Sequence, residues 1–167
     1  LFKLACRVSA KRMFPNFSFL DAPFNLQYYK PGHPETEVGY MGCRTRVMSN
    51  VCDPTREITY GRGNLSFTSV NLPRIRSHGD LDWFFEDLDR KIDLVIDQLL
   101  DRFRIQCGKR VRNYPFLMGE GVWLDSEKLG PDDEVGEVLK HGTLTLGFIG
   151  LAECLKALIG KHHGESE

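Results

Sequence analysis

Thr143-Leu144-Thr145-Leu146-Gly147-Phe148-Ile149-Gly150-Leu151-Ala152-Glu153-Cys154-Leu155 is the stretch that decides the architecture. Thr143–Ile149 is apolar with interspersed threonines, the composition of a strand. It runs straight into Gly150. From there Leu151, Cys154, Leu155 and Leu158 recur at helical steps until Gly160, a glycine placed to end a helix. Upstream, Ile58–Leu72 reads as a second extended segment, with Leu65, Phe67, Ser69 and Asn71 on one side and Asn64, Ser66, Thr68 and Val70 on the other. Between the two, Ser77–Asp80 forms a cap. Leu81, Phe84, Leu88, Ile92, Val95, Leu99 and Phe103 then mark an amphipathic helix from Leu81 to about Gln106. Strands separated by helices predict an α/β fold with parallel pairing.

The remaining segments are shorter. Leu1–Met13 is patterned as a helix that Pro15 ends. Asn16–Pro34 is loop-rich, broken by Pro23, Pro31 and Pro34, with one short strand expected around Phe17–Leu20. Glu37–Met48 is an extended arm, and Asn50–Thr55, with Asp53-Pro54, is a turn. The arms 37–48 and 58–72 are expected to form a hairpin-like protrusion. Further expectations are a short strand at Tyr114–Met118, a turn at Gly119–Gly121 and a short helix at Asp133–Leu139.

The chain has 167 residues and a formal net charge of −1, which suits roughly one domain of ordinary globular composition. Its basic residues are dispersed, which argues against a nucleic-acid binder. The one basic cluster, Lys109-Arg110-Val111-Arg112, suits the negative pole of the preceding helix. No apolar run approaches the ~20 residues that cross a bilayer. The chain opens on Leu1 without an initiator Met and stops just after a helical segment, so both ends are expected to be cuts through a longer chain. Its five cysteines are irregularly spaced and none forms a Cys-x-x-Cys pair. This points to a reducing compartment and to no structural metal site within these residues.

Cys43, in Tyr40-Met41-Gly42-Cys43-Arg44-Thr45-Arg46, has two readings. A lone cysteine is commonly a small buried hydrophobe. Alternatively it is a reactive sulfur on a protruding loop, where Gly42 permits close backbone approach and Arg44 and Arg46 favour an anion nearby. A nucleophile would need a base, and no histidine is close in sequence. A radical sulfur needs none. Asn64, in Gly61-Arg62-Gly63-Asn64, is either a turn residue or an amide that donates to one oxygen and accepts from another. Gly147–Leu151 joins strand to helix. Its glycines either serve close packing or leave main-chain N–H groups of Gly150 and Leu151 free to hold phosphate. Cys6, Cys107 and Cys154 read as structural, while Cys52 lies near enough to Cys43 in sequence to be watched. His162-His163 makes a poor metal site. Asp125, Glu127, Asp132, Asp133 and Glu134 read as loop and helix-start acids.

Met41-Gly42-Cys43-Arg44-Thr45 resembles the radical-cysteine signature of the anaerobic (class III) ribonucleoside triphosphate reductases, which belong to the glycyl radical enzymes. Lys11-Arg12-Met13-Phe14-Pro15, Arg62-Gly63-Asn64-Leu65, Val70-Asn71-Leu72-Pro73-Arg74 and Leu146–Glu153 resemble further blocks of that family in the same order. The resemblance implies a sector of a ten-stranded α/β barrel, with residues 1–167 a partial catalytic barrel domain, no complete second domain, and a central finger loop at about 38–72. It implies that Cys43 becomes a thiyl radical that abstracts the ribose 3′-hydrogen, with Asn64 near the ribose hydroxyls. Gly150 and Leu151 would bind substrate, a ribonucleoside triphosphate. The glycyl radical would lie outside this fragment and be generated by a radical S-adenosylmethionine activase. Formate would be the reductant, zinc would sit in a missing C-terminal part, and ATP and deoxynucleotides would act as effectors of a cytoplasmic homodimer. The fragment alone would be inactive, and it would expose apolar surface and strand edges. Another glycyl radical enzyme and a non-catalytic nucleotide-binding barrel are the alternatives. Retention of Cys43 and Asn64 weighs against the second. Pyruvate formate-lyase carries adjacent cysteines at the loop tip, which Gly42-Cys43-Arg44 does not.

Overall fold

The computed structural model describes residues 1–41, 45–47, 50–56, 58–76 and 80–165. They fall into two compact units, Leu1–Arg62 and Gly63–Glu167.

In the first unit, helix α1 spans Phe2–Arg12. It ends where Met13 turns left-handed, at φ 57°, and its N–H bonds to the Ser9 carbonyl at 2.7 Å. The short strand expected at Phe17–Leu20 does not form. The Phe19 carbonyl instead accepts from the buried Asn25 amide at 2.7 Å, and Pro23 starts a one-turn helix, α2, Pro23–Leu26. Asn25 also accepts from Arg46 at 3.1 Å, and the Arg46 guanidinium lies 4.9 Å from the centre of the Phe24 ring. Strands β1, Gly39–Met41, and β2, Thr45–Val47, pair antiparallel, with Met41 opposite Thr45.

The expected hairpin between residues 37–48 and 58–72 is replaced by this smaller one inside the first arm. The second arm is interrupted because Gly61 sits at φ +65° and Arg62 folds back to donate to the Ile58 carbonyl at 2.9 Å. Thr59 N–H donates to the Glu35 carbonyl, before β1, at 3.1 Å.

In the second unit, β3, Asn64–Asn71, pairs in parallel with β4, Thr143–Ile149, from Asn64 opposite Thr143 to Asn71 opposite Ile149. A register shift between Asn64 and Ser66 leaves Leu65 as an extra residue. Asn71 ends the strand and caps the next helix, α3, Leu72–Arg76, its side-chain oxygen accepting from the Arg74 N–H at 3.3 Å. The long amphipathic helix α4 spans Leu81–Cys107 and is capped by Asp80, which accepts from Trp83 N–H at 2.9 Å. It lies on β3 and buries Phe84, Val95 and Leu99 against Val70, Leu72 and Cys154.

A second core gathers Val111, Met118, Trp123, Val135, Val138 and Leu139. The strand expected at Tyr114–Met118 is a series of turns, because the Tyr114 and Leu117 carbonyls are taken locally by Met118 and Trp123. The helix expected from Asp133 begins later, as α5, Gly136–Leu139. Residues 133–135 are held instead by Val111 N–H to the Asp133 carbonyl and Val135 N–H to the Lys109 carbonyl, on either side of an Arg110–Glu134 bridge. The closing helix α6 spans Leu151–Ile159 and stops at left-handed Gly160. Among the described residues, no helix is long and apolar enough to cross a membrane.

Trp123 anchors the second core with a buried bond from its indole N–H to the Val138 carbonyl at 2.7 Å. Trp123→Phe removes that bond while the Val138 carbonyl keeps the His141 N–H at 3.3 Å, and urea unfolding should show a loss of about 0.5–1.5 kcal/mol.

Candidate functional site

Cys43, with Gly42 and Arg44, lies outside the described residues. The strands on either side of it are paired: Tyr40 faces Arg46 and Met41 faces Thr45. Residues 42–44 are thus all that connects two strands held in register. In the same unit, Cys52 is exposed, and its N–H bonds to the buried Asn50 side chain at 3.2 Å. Burial lowers the Arg62 pKa below its usual value, and the neighbouring Cys52 sulfur opposes that shift.

Asn64 opens β3 in the second unit, exposed at the head of the ladder and opposite Thr143. The Thr143 hydroxyl is the buried side-chain polar atom that lacks a hydrogen-bond partner among the described residues. Immediately after Asn64 comes the bulge. The Leu65 side chain packs toward Gly142, where a Cβ would stand 2.6–2.9 Å from three of its carbons. The glycine at 142 is therefore a clearance for Leu65.

Gly150 and Leu151 stand at the other end of the same sheet. Gly150 adopts φ +74°, and a Cβ there would lie 2.5 Å from Pro73 Cγ. Close packing alone demands glycine at this position. The first main-chain bond of α6 runs from Cys154 N–H to the Gly150 carbonyl, so the helix itself does not use the N–H groups of Leu151, Ala152 and Glu153. Gly150, as N-cap, offers no side chain to them. Those donors could meet an anion, but the Glu153 carboxylate already occupies the first turn.

The ladder separates these residues. Asn64 faces Thr143 while Asn71 faces Ile149, so Asn64 and Gly150 lie at opposite ends of β4. At ~3.3 Å per residue the span is on the order of 20 Å. A nucleotide that touches both must lie extended along β4, with the Asn64 side chain and a hydrogen bond of about 3 Å at each end making up the span.

Among the other cysteines, Cys154 is buried in the first core and Cys107 is half-buried, its thiol pKa raised by burial and then by Glu137. Cys6 is exposed on α1, so burial does not explain it. The loop acids are engaged locally: Asp125 with Lys128 at 2.9 Å, Asp132 with Arg112, and Asp133 with the Gly130 N–H. No group of three or more His, Cys, Asp or Glu among the described residues is placed to hold a metal ion.

One set of residues was illegible as a unit in the sequence. Gln98, Arg102 and Gln106 recur every fourth residue on α4, a spacing that reads as an ordinary solvated face. In the structure all three reach β3.

A family model described as anaerobic ribonucleoside-triphosphate reductase matches residues 1–167. The anaerobic ribonucleoside-triphosphate reductase of Escherichia coli strain K12 is 33% identical over 165 residues, covering 96% of this chain and 22% of that protein. The protein of the same name from Enterobacteria phage T4 is 31% identical over 170 residues, 97% of this chain and 27% of that one. That from Haemophilus influenzae is 30% identical over 167 residues, 96% and 22%. The chain spans about a quarter or less of the length of these curated relatives.

Gly150→Ala adds both a clash with Pro73 and a left-handed non-glycine residue. Urea unfolding should show a loss of about 2–4 kcal/mol.

Proposed function

The chain belongs to the anaerobic ribonucleoside-triphosphate reductase family, and from that premise we propose that it is part of the catalytic domain of an enzyme that reduces ribonucleoside triphosphates to deoxyribonucleoside triphosphates. The observation that carries the proposal is the family match over the whole of residues 1–167, Cys43 and Asn64 included. The paired strands that bracket Cys43 support it.

In this proposal the Cys43 sulfur acts as a thiyl radical. It takes the hydrogen from ribose C3′, so an S–H bond forms as the C–H bond breaks. The resulting sugar radical eases departure of the 2′-hydroxyl as water. Asn64 holds the ribose hydroxyls: its amide donates to one oxygen and accepts from another without fixing a proton. The glycyl radical that oxidises Cys43 and the formate that supplies reducing electrons come from outside these residues. A radical S-adenosylmethionine activase, a zinc site elsewhere in the polypeptide, ATP and deoxynucleotide effectors, a homodimer and a cytoplasmic setting complete the proposal. The chain is then a sector of a ten-stranded barrel, and the finger loop expected at about 38–72 stops short of Asn64, where β3 begins.

Gly150 and Leu151 enter as main-chain phosphate contacts. A nucleotide held by both lies extended along β4, with its ribose at Asn64 and its phosphates at the start of α6.

The test uses the full gene product, activated anaerobically. Cys43→Ala should abolish deoxyribonucleotide formation while the glycyl radical signal persists in electron paramagnetic resonance. Turnover by that variant would overturn the proposal. Asn64→Ala should lower turnover on the order of a hundredfold without loss of the radical signal. For α6, removing the competing charge with Glu153→Gln should lower the KM for nucleotide about two- to fivefold if phosphate rests there. An unchanged KM removes Gly150 and Leu151 from the substrate site.

A further inference from the structure

The bulge beside Asn64 creates a mechanical problem. A parallel ladder fixes a strand through its regular main-chain bonds; before Asn64 Thr143 N–H holds the Gly63 carbonyl at 2.9 Å, but after it the extra residue Leu65 interrupts that regularity. The structure restores the hold from α4. Gln106 donates through Nε2 to the Leu65 carbonyl at 3.3 Å. Four residues earlier, Arg102 donates to the Phe67 carbonyl at 3.3 Å and to the Ser66 hydroxyl at 3.1 Å. Four residues before that, Gln98 accepts from the Thr68 hydroxyl at 2.8 Å.

The match is geometric. Four helical residues advance about 6 Å and two strand residues about 6.6 Å, so Gln106 and Arg102 keep step with Leu65 and Phe67, while Gln98 reaches Thr68, one residue further on. The helix runs against the strand, with Gln98 at Thr68 and Gln106 at Leu65. The Leu65 and Phe67 carbonyls, on either side of Ser66, are both reached from α4. The last rung falls on the residue next to Asn64.

We propose that Gln106, backed by Arg102, is a positioning residue for Asn64: its bond to the Leu65 carbonyl replaces the regular hold lost at the bulge and sets where the Asn64 amide stands. This rests on the reading of Asn64 as the ribose-binding amide. An ordinary solvated glutamine would contribute nothing to turnover.

A double-mutant cycle in the full gene product tests it. Gln106→Met keeps the length and helical preference but has no donor, and Gln106→Lys restores one. Gln106→Met should lower kcat about fivefold, the worth of one such bond, with KM for nucleotide and glycyl radical yield unchanged. Gln106→Lys should recover most of that loss. In the Asn64→Ala background, Gln106→Met should have no further effect. Gln106→Glu, isosteric and donorless, should match Gln106→Met and stands in for it if the methionine variant does not fold. The proposal is overturned if the donorless variants turn over at the normal rate, or if they lower kcat by the same factor with and without Asn64. If Asn64→Ala alone turns over normally, it is the reading of Asn64 that fails, and the positioning proposal fails with it.

Discussion

Parallel pairing of β3 with β4 is the constraint on which residues 63–167 depend. Two parallel strands cannot be joined by a tight turn, because the chain must return to the same end before the second begins. Residues 72–142 make that return. α4 is the part of it that covers β3, and the second core, around Trp123 and Val135, is the part that brings the chain back to Gly142. The pairing also sets both strands pointing the same way, so α3 and α6 start side by side. Pro73 and Gly150 meet there, and a methyl group on Gly150 would not fit.

Leu1–Arg62 is held differently. Its α1 buries no residue, and Asn25, Thr36 and Asn50 are among its buried side chains, with Val47 a buried apolar one. Specific polar bonds replace a large apolar core: Asn25 to Phe19 and Arg46, and Thr36 to Lys30 at 2.9 Å. Such bonds are directional, and they place Arg46, hence β2 and the strand pair that flanks Cys43.

Residues 63–167 expose apolar surface. Phe67, Phe148 and Ile149 are exposed on the two strands, and an apolar groove of about 440 Å³ runs between α4, α6 and β4. Both sheets among the described residues have two strands only. These features agree with a chain that spans a small share of its relatives' length.

Much of this was legible in the sequence, because local periodicity needs no partner to be read. The 3.6-residue recurrence through Leu81–Phe103 fixed α4. Asp80 fixed its start and Gly160 the end of α6, and the motif around Cys43 pointed to the family. What failed was whatever depended on where a main-chain group finds its partner. Phe17–Leu20 and Tyr114–Met118 have strand-like composition, but side chains and local turns took their carbonyls first. The second arm left the expected hairpin because a strand far along the chain offered β3 a full ladder. Only the tertiary structure could show that Asn64 and Gly150 stand at opposite ends of one sheet, or that three polar residues on α4 all reach β3. Distance between residues remote in sequence is set by packing and register, and neither is written in any one segment.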